Sequence, residues 1–207
     1  AYQTAAGASD IFAHTVERYF AEGDCYLGDK FCEGLLRSVI KYAPIAINDP
    51  KNYDAHAELM LAGSFSHNDT TGLGRLGMDG SCHGLETQVS GLFDTAHGTG
   101  LAVIMPAWME FMIDTQEDIH QFVKFATNVF DVEYDMQDPK GVALEGVKRF
   151  RAWLKEIGMP LTFKELGVKK EDMQKLLDHT CKKDGSVGHH IPLYYDDVKR
   201  IFDSFVE

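Results

Sequence analysis

Long apolar runs are missing from these 207 residues, and none approaches the ~20 residues a helix needs to cross a bilayer. No membrane span is therefore expected. The opening Ala1-Tyr2-Gln3-Thr4-Ala5 has neither a basic stretch nor an apolar core, which predicts no secretory leader, and the lack of an initial Met fits a mature or excised piece. Positive charge is scarce: 20 Lys and Arg stand against 32 Asp and Glu, a formal net charge of −12. Gripping phosphate takes clustered Lys and Arg, so no nucleic-acid partner is expected. The short pairs Lys169-Lys170 and Lys182-Lys183 lie beside acids and read as solvated helix ends. Cysteine is sparse as well. Cys25, Cys32, Cys82 and Cys181 form no C-x-x-C pair, which points to reduced thiols in a cytoplasmic protein.

What is present suffices for a core. A hydrophobic fraction of 44% beside 25% charged residues predicts one domain over residues 1–207. The apolar spacing is helical almost throughout. Ser9-Asp10 is expected to start a first helix bearing Ile11, Phe12, Val16, Tyr19 and Phe20, with Gly23 stopping it. A second helix is expected over about 29–47, bent near its end by Pro44, and a third from Asn52 or Asp54 through Phe65. Further helices are predicted over about 83–93, 98–113, 116–130, 140–157, 169–182 and 195–205. The glycine-rich stretch 69–80 follows no strand, so it holds no G-x-G-x-x-G with a strand before it and a helix after it, and it reads as a loop that positions His83 rather than a phosphate cradle. No strand-type alternation persists and no repeat is visible. The prediction is an all-α multi-helix bundle.

Two local patterns could carry chemistry. Asp10 and His14 are four apart, so on a helix a carboxylate and an imidazole share one face. Taken alone the pair is weak, because an acid near a helix start also serves as a plain N-terminal anion. His83 and His97 are flanked by Gly84 and Gly98, which permit close backbone approach. Three imidazoles and one carboxylate together suit a divalent first-row metal, Fe2+ or Zn2+. Cys82 adjoins His83 and is left out, since adjacent helical residues do not aim at one ion. The other histidines take plainer readings. His56 is expected at the surface, His67-Asn68 as a helix C-terminal pair, and His120 and His179 as exposed. His189-His190 reads as an exposed compositional feature. Met105, Trp108, Met109 and Phe111 are expected in the core.

The segments Ala8-Ser9-Asp10-Ile11-Phe12-Ala13-His14 and Ala96-His97-Gly98-Thr99-Gly100-Leu101 resemble the iron-containing alcohol dehydrogenase family, most closely its butanol dehydrogenase branch. So do Asn48-Asp49-Pro50 with Asn52-Tyr53-Asp54-Ala55-His56, Gly158-Met159-Pro160, and Asp196-Asp197-Val198 with Ile201-Phe202. The resemblance covers essentially the whole chain. It implies that Asp10, His14, His83 and His97 are the catalytic metal ligands, and that the fold is the helical half shared with dehydroquinate synthase-like enzymes. It further implies aldehyde or alcohol substrates, NADH or NADPH as cofactor, and an N-terminal dinucleotide-binding α/β domain that this chain lacks. A lone helical half is then expected to be inactive, with a homodimer left open. Some relatives carry a second histidine where this chain has Thr87, so a proton relay from that position is not expected. Two rival readings are a helical hydrolase using a metal-bound water, which would want a His-Asp doublet absent here, and a non-catalytic metal-binding fragment.

Overall fold

Alanine extends the first helix well ahead of its expected start. In the computed structural model, which describes residues 1–189 and 191–204, α1 runs Tyr2–Tyr19 rather than from Ser9-Asp10. Ala5, Ala6 and Ala8 are strong helix formers and all three are buried, so propensity and packing act together. Asp10 consequently sits in mid-helix and is not an N-terminal anion.

Side-chain caps set several other boundaries. Helix α2, Tyr26–Asn48, begins where Cys25 Sγ accepts the Gly28 N–H at 3.4 Å. Asn52 Oδ1 accepts the Ala55 N–H at 3.0 Å and opens α3, Tyr53–His67. A single 3₁₀ turn, Thr70–Gly72, interrupts the loop before α4, Ser81–Phe93, and α5, His97–Thr115. Helix α6, His120–Phe130, starts later than expected because the Asp118 carboxylate takes the His120 N–H at 3.0 Å and turns the chain. In α7, Pro139–Glu156, proline fills the first turn and Asp138 accepts the Gly141 N–H at 2.8 Å. The continuous helix expected over 169–182 is instead a 3₁₀ turn, Lys170–Asp172, followed by α8, Met173–Thr180. The last element is α9, Tyr195–Asp203. Residue 205 of the expected final helix lies outside the described residues, as does His190. Extended backbone pairs only at the bridge between Val187 and Leu193 among the described residues. The fold is all-α, as expected.

Helix α5 is the central rod. Fifteen of its nineteen residues are buried, including Met105, Trp108, Met109 and Phe111, so it is apolar all round as an enclosed helix must be. It packs on α1, α4, α7 and α9. Beside it, Phe12 of α1 stacks on Phe150 of α7 at 4.6 Å between ring centroids, with Phe125 and Trp153 around them. No helix among the described residues is long and apolar enough to cross a membrane.

Candidate metal centre

Four helices bring histidines to one carboxylate. Asp10 and His14 lie one turn apart on α1, so their side chains rise from the same face. Gly80, at φ +72°, turns the chain into α4 and sets His83 in its first turn. The loop before it is pinned from two sides. Arg75 pairs with buried Asp29 and donates to the Ala21 carbonyl at 3.0 Å, while Asp79 Oδ1 accepts the Ile191 N–H at 3.1 Å. His97 opens α5 without a side-chain cap among the described residues. It is held close because Gly98 lies against α1: a Cβ at Gly98 would stand 1.9 Å from the Ala6 carbonyl oxygen.

The result is a tight cluster. The Nε2 atoms of His14, His83 and His97 stand 3.7, 3.9 and 3.7 Å from Asp10 Oδ1. One donor atom from each of Asp10, His14 and His83 lies within 4.8 Å of the others, a spread that a single ion can bridge. His97 joins through its contact with Asp10, its ring 5.3 Å from that of His83.

The hydrogens decide what the cluster wants. His83 Nδ1 bonds to Glu17 Oε2, and His97 Nδ1 bonds to Glu86 Oε2. Both carboxylates are fully buried acceptors, so each ring hydrogen belongs on Nδ1 and leaves a lone pair on Nε2. Those lone pairs face Asp10 Oδ1, itself an acceptor. His83 Nε2 and Asp10 Oδ1 are buried and neither has a hydrogen-bond partner among the described residues. Acceptor against acceptor is repulsive, whereas a cation among them makes the same arrangement attractive. Burial, then the neighbouring His83, His67, Arg18 and His97, pushes the His14 pKa down to about 3, which keeps it in the neutral form that ligates metals. His97 moves the other way, raised by its hydrogen bond to Glu86. One carboxylate and three imidazoles of this kind fit a divalent first-row ion.

Cys82 is buried, and desolvation lifts its thiol well above the ordinary range, so it stays protonated and outside the donor set. Thr87 is exposed and donates to the His83 carbonyl at 2.8 Å. His67 ends α3 as expected, yet its Nε2 also lies 3.5 Å from Asp10 Oδ2 and its ring 4.0 Å from that of His14. Reading it by helix position alone missed that contact. Glu17 was missed too, although Asp10, His14 and Glu17 follow the helical spacing that puts all three on one face. His56 is half-buried with Nε2 enclosed and unpartnered, not at the surface, because α3 packs on both α1 and α2. His120, His179 and His189 are exposed.

The sequence pattern of the Fe-containing alcohol dehydrogenase family, C-terminal part, matches residues 4–206. The chain belongs to the iron-containing alcohol dehydrogenase family. This family member is 35% identical over 203 residues to NADH-dependent butanol dehydrogenase A of Clostridium acetobutylicum, covering 97% of the chain and 51% of the relative. It is 28% identical to the NADPH-dependent aldehyde reductase YqhD of Escherichia coli, covering 98% and 51%. Its fold superposes on the crystal structure of NADH-dependent butanol dehydrogenase A from Thermotoga maritima with a TM-score of 0.91 at 32% identity, over 100% of this chain and 52% of the other. The chain thus spans about half the length of the relatives it matches.

Proposed function

We propose that Asp10, His14, His83 and His97 hold one divalent ion, Fe2+ or Zn2+, and that the chain is the metal-binding half of an NADH- or NADPH-dependent alcohol dehydrogenase or aldehyde reductase. One observation carries this reading: three imidazole nitrogens from three helices stand within 3.9 Å of a single buried carboxylate oxygen that no hydrogen bond from the described residues reaches. When bound, the ion supplies Lewis-acid chemistry at the oxygen of a carbonyl or alkoxide. The residues do the rest. Asp10 brings the negative charge, and His14, kept neutral by burial, offers its Nε2. His97, the most open of the three imidazoles at 40% side-chain exposure, borders the approach for a small aldehyde or alcohol. The nicotinamide and its phosphates are assigned to an α/β half beyond this chain. A net charge of −12 and a glycine-rich loop that no strand precedes among the described residues both support that division.

The test is metal content and affinity in the wild-type chain, Asp10→Ala and His97→Ala, followed by butanal reduction once a cofactor half is supplied. Bound metal in the wild type and markedly weaker, still measurable binding in both variants is the expected result. Undiminished metal in both would remove the reading, and phosphatase activity with metal alone would replace it with hydrolysis. The ion found after purification need not be the working one, since zinc competes well at such sites.

A further inference from the structure

We propose that Glu17 and Glu86 are positioning residues that lock the hydrogens of His83 and His97 onto Nδ1 and thereby commit both Nε2 atoms to metal binding; the inference rests on the metal reading above. Each carboxylate is fully buried and each reaches a histidine on another of the three ligand-bearing helices: Glu17 of α1 holds His83 of α4, and Glu86 of α4 holds His97 of α5. The wiring crosses between helices, so no ligand-bearing helix can shift without dragging its neighbour.

Burying a carboxylate is costly unless strong donors meet it. Glu86 has few. Among the described residues it meets, besides His97 Nδ1, only the Ser90 hydroxyl, at 3.5 Å, and its Oε1 has no hydrogen-bond partner there. The chain nevertheless leaves room for it, because a Cβ at Gly100 would sit 2.3 Å from Glu86 Oε1. A group kept at such expense for one imidazole N–H is explained by what that imidazole must do at its other nitrogen. Glu17 grips His83 twice, through the ring and through the neighbouring backbone, since its Oε1 accepts the Cys82 N–H at 2.7 Å. A carboxylate on Nδ1–H also raises the basicity of Nε2 toward a metal.

Co2+ is the probe, its affinity read by chelator competition and its coordination by the visible ligand-field bands of the full chain. Glu86→Gln, Glu86→Leu and Glu17→Gln are compared with wild type, and Glu86→Leu is repeated in a His97→Ala background. The expected result is about 10–100-fold weaker Co2+ binding with shifted bands, Leu being worse than Gln. In the His97→Ala background, Glu86→Leu should cost nothing more. Metal-free Glu86→Leu should unfold in urea at or above the wild-type midpoint, because a buried carboxylate met by few donors has been replaced by an apolar side chain. A merely structural Glu86 would give the reverse, lower stability with unchanged affinity and bands, and that would overturn the proposal. So would an equal further loss without His97. A wild-type chain that binds no Co2+ defeats the metal reading itself, whereas binding that all three single variants leave intact defeats this inference alone.

Discussion

Adding one methyl group at Gly98 should separate stability from metal binding in a way that tests the centre directly. The new carbon would lie 1.9 Å from the Ala6 carbonyl oxygen and 2.7 Å from the Ala6 carbonyl carbon, where ordinary contact begins near 3.4 Å. Both colliding atoms are backbone, so no rotamer change relieves them, and α5 must part from α1 by about 1.5 Å at its first turn. Overpacking of this kind costs ~1–3 kcal/mol. His97 is the preceding residue and moves with the turn, whereas metal–ligand distances tolerate only about 0.2 Å. Gly98→Ala is therefore expected to weaken Co2+ binding by about tenfold or more, in the range seen when ligand support is lost. Gly146→Ala is the control: its Cβ would meet the Ala126 Cβ at 2.5 Å between α6 and α7, away from the histidines. Urea midpoints in chelator and Co2+ competition are measured for both. Similar destabilisation of the two with loss of affinity confined to Gly98→Ala supports the geometry; wild-type affinity in a destabilised Gly98→Ala refutes it.

Other expectations are simpler. Phe12→Ala removes a ring stacked 4.6 Å from Phe150 and should cost about 3–5 kcal/mol in urea unfolding, with a loss under 1 kcal/mol contradicting the core described. Arg75→Met leaves Asp29 buried with Gln121 and Lys124 at 3.2 Å as remaining donors, and should cost about 3 kcal/mol, read by the same assay. Acid should destabilise the metal-free chain. His14 takes a proton near 6.5 when unfolded but only at about 3 when folded, so between those values the unfolded state binds more protons and stability falls as pH drops. The slope from His14 is at most about 1.4 kcal/mol per pH unit. His97, raised by Glu86, opposes it, stabilising at low pH and losing that contribution as pH rises through its folded pKa, but it is partly exposed and weaker. A urea midpoint that climbs from pH 6.5 to 4.5 would reverse this assignment.

Much of the fold could be read from periodicity because most helices carry a clear apolar stripe, and the caps at Asn52 and Asp138 sit where their side-chain chemistry puts them. The start of α1 was not legible. Ala5-Ala6-Gly7-Ala8 shows no amphipathic pattern, since small residues register as helix only through propensity and through burial that sequence does not display. Within the cluster, Asp10 and His14 announce themselves by spacing, whereas the approach of α4 and α5 depends on glycines whose purpose appears only with Ala6 and Glu86 in place. His67 illustrates the limit. Its position at a helix end gave a sufficient local reason for a histidine, and that reason hid a neighbour 57 residues earlier in the chain.

The enclosure of α5 has a consequence for variation. A rod gripped along most of its length offers almost no face on which substitutions can accumulate, and the histidine at its tip takes its place from that packing. Diversity in what such a protein accepts must then arise in the outer layers and their connecting turns. Attempts to redirect its chemistry by mutation should begin there and leave the rod untouched.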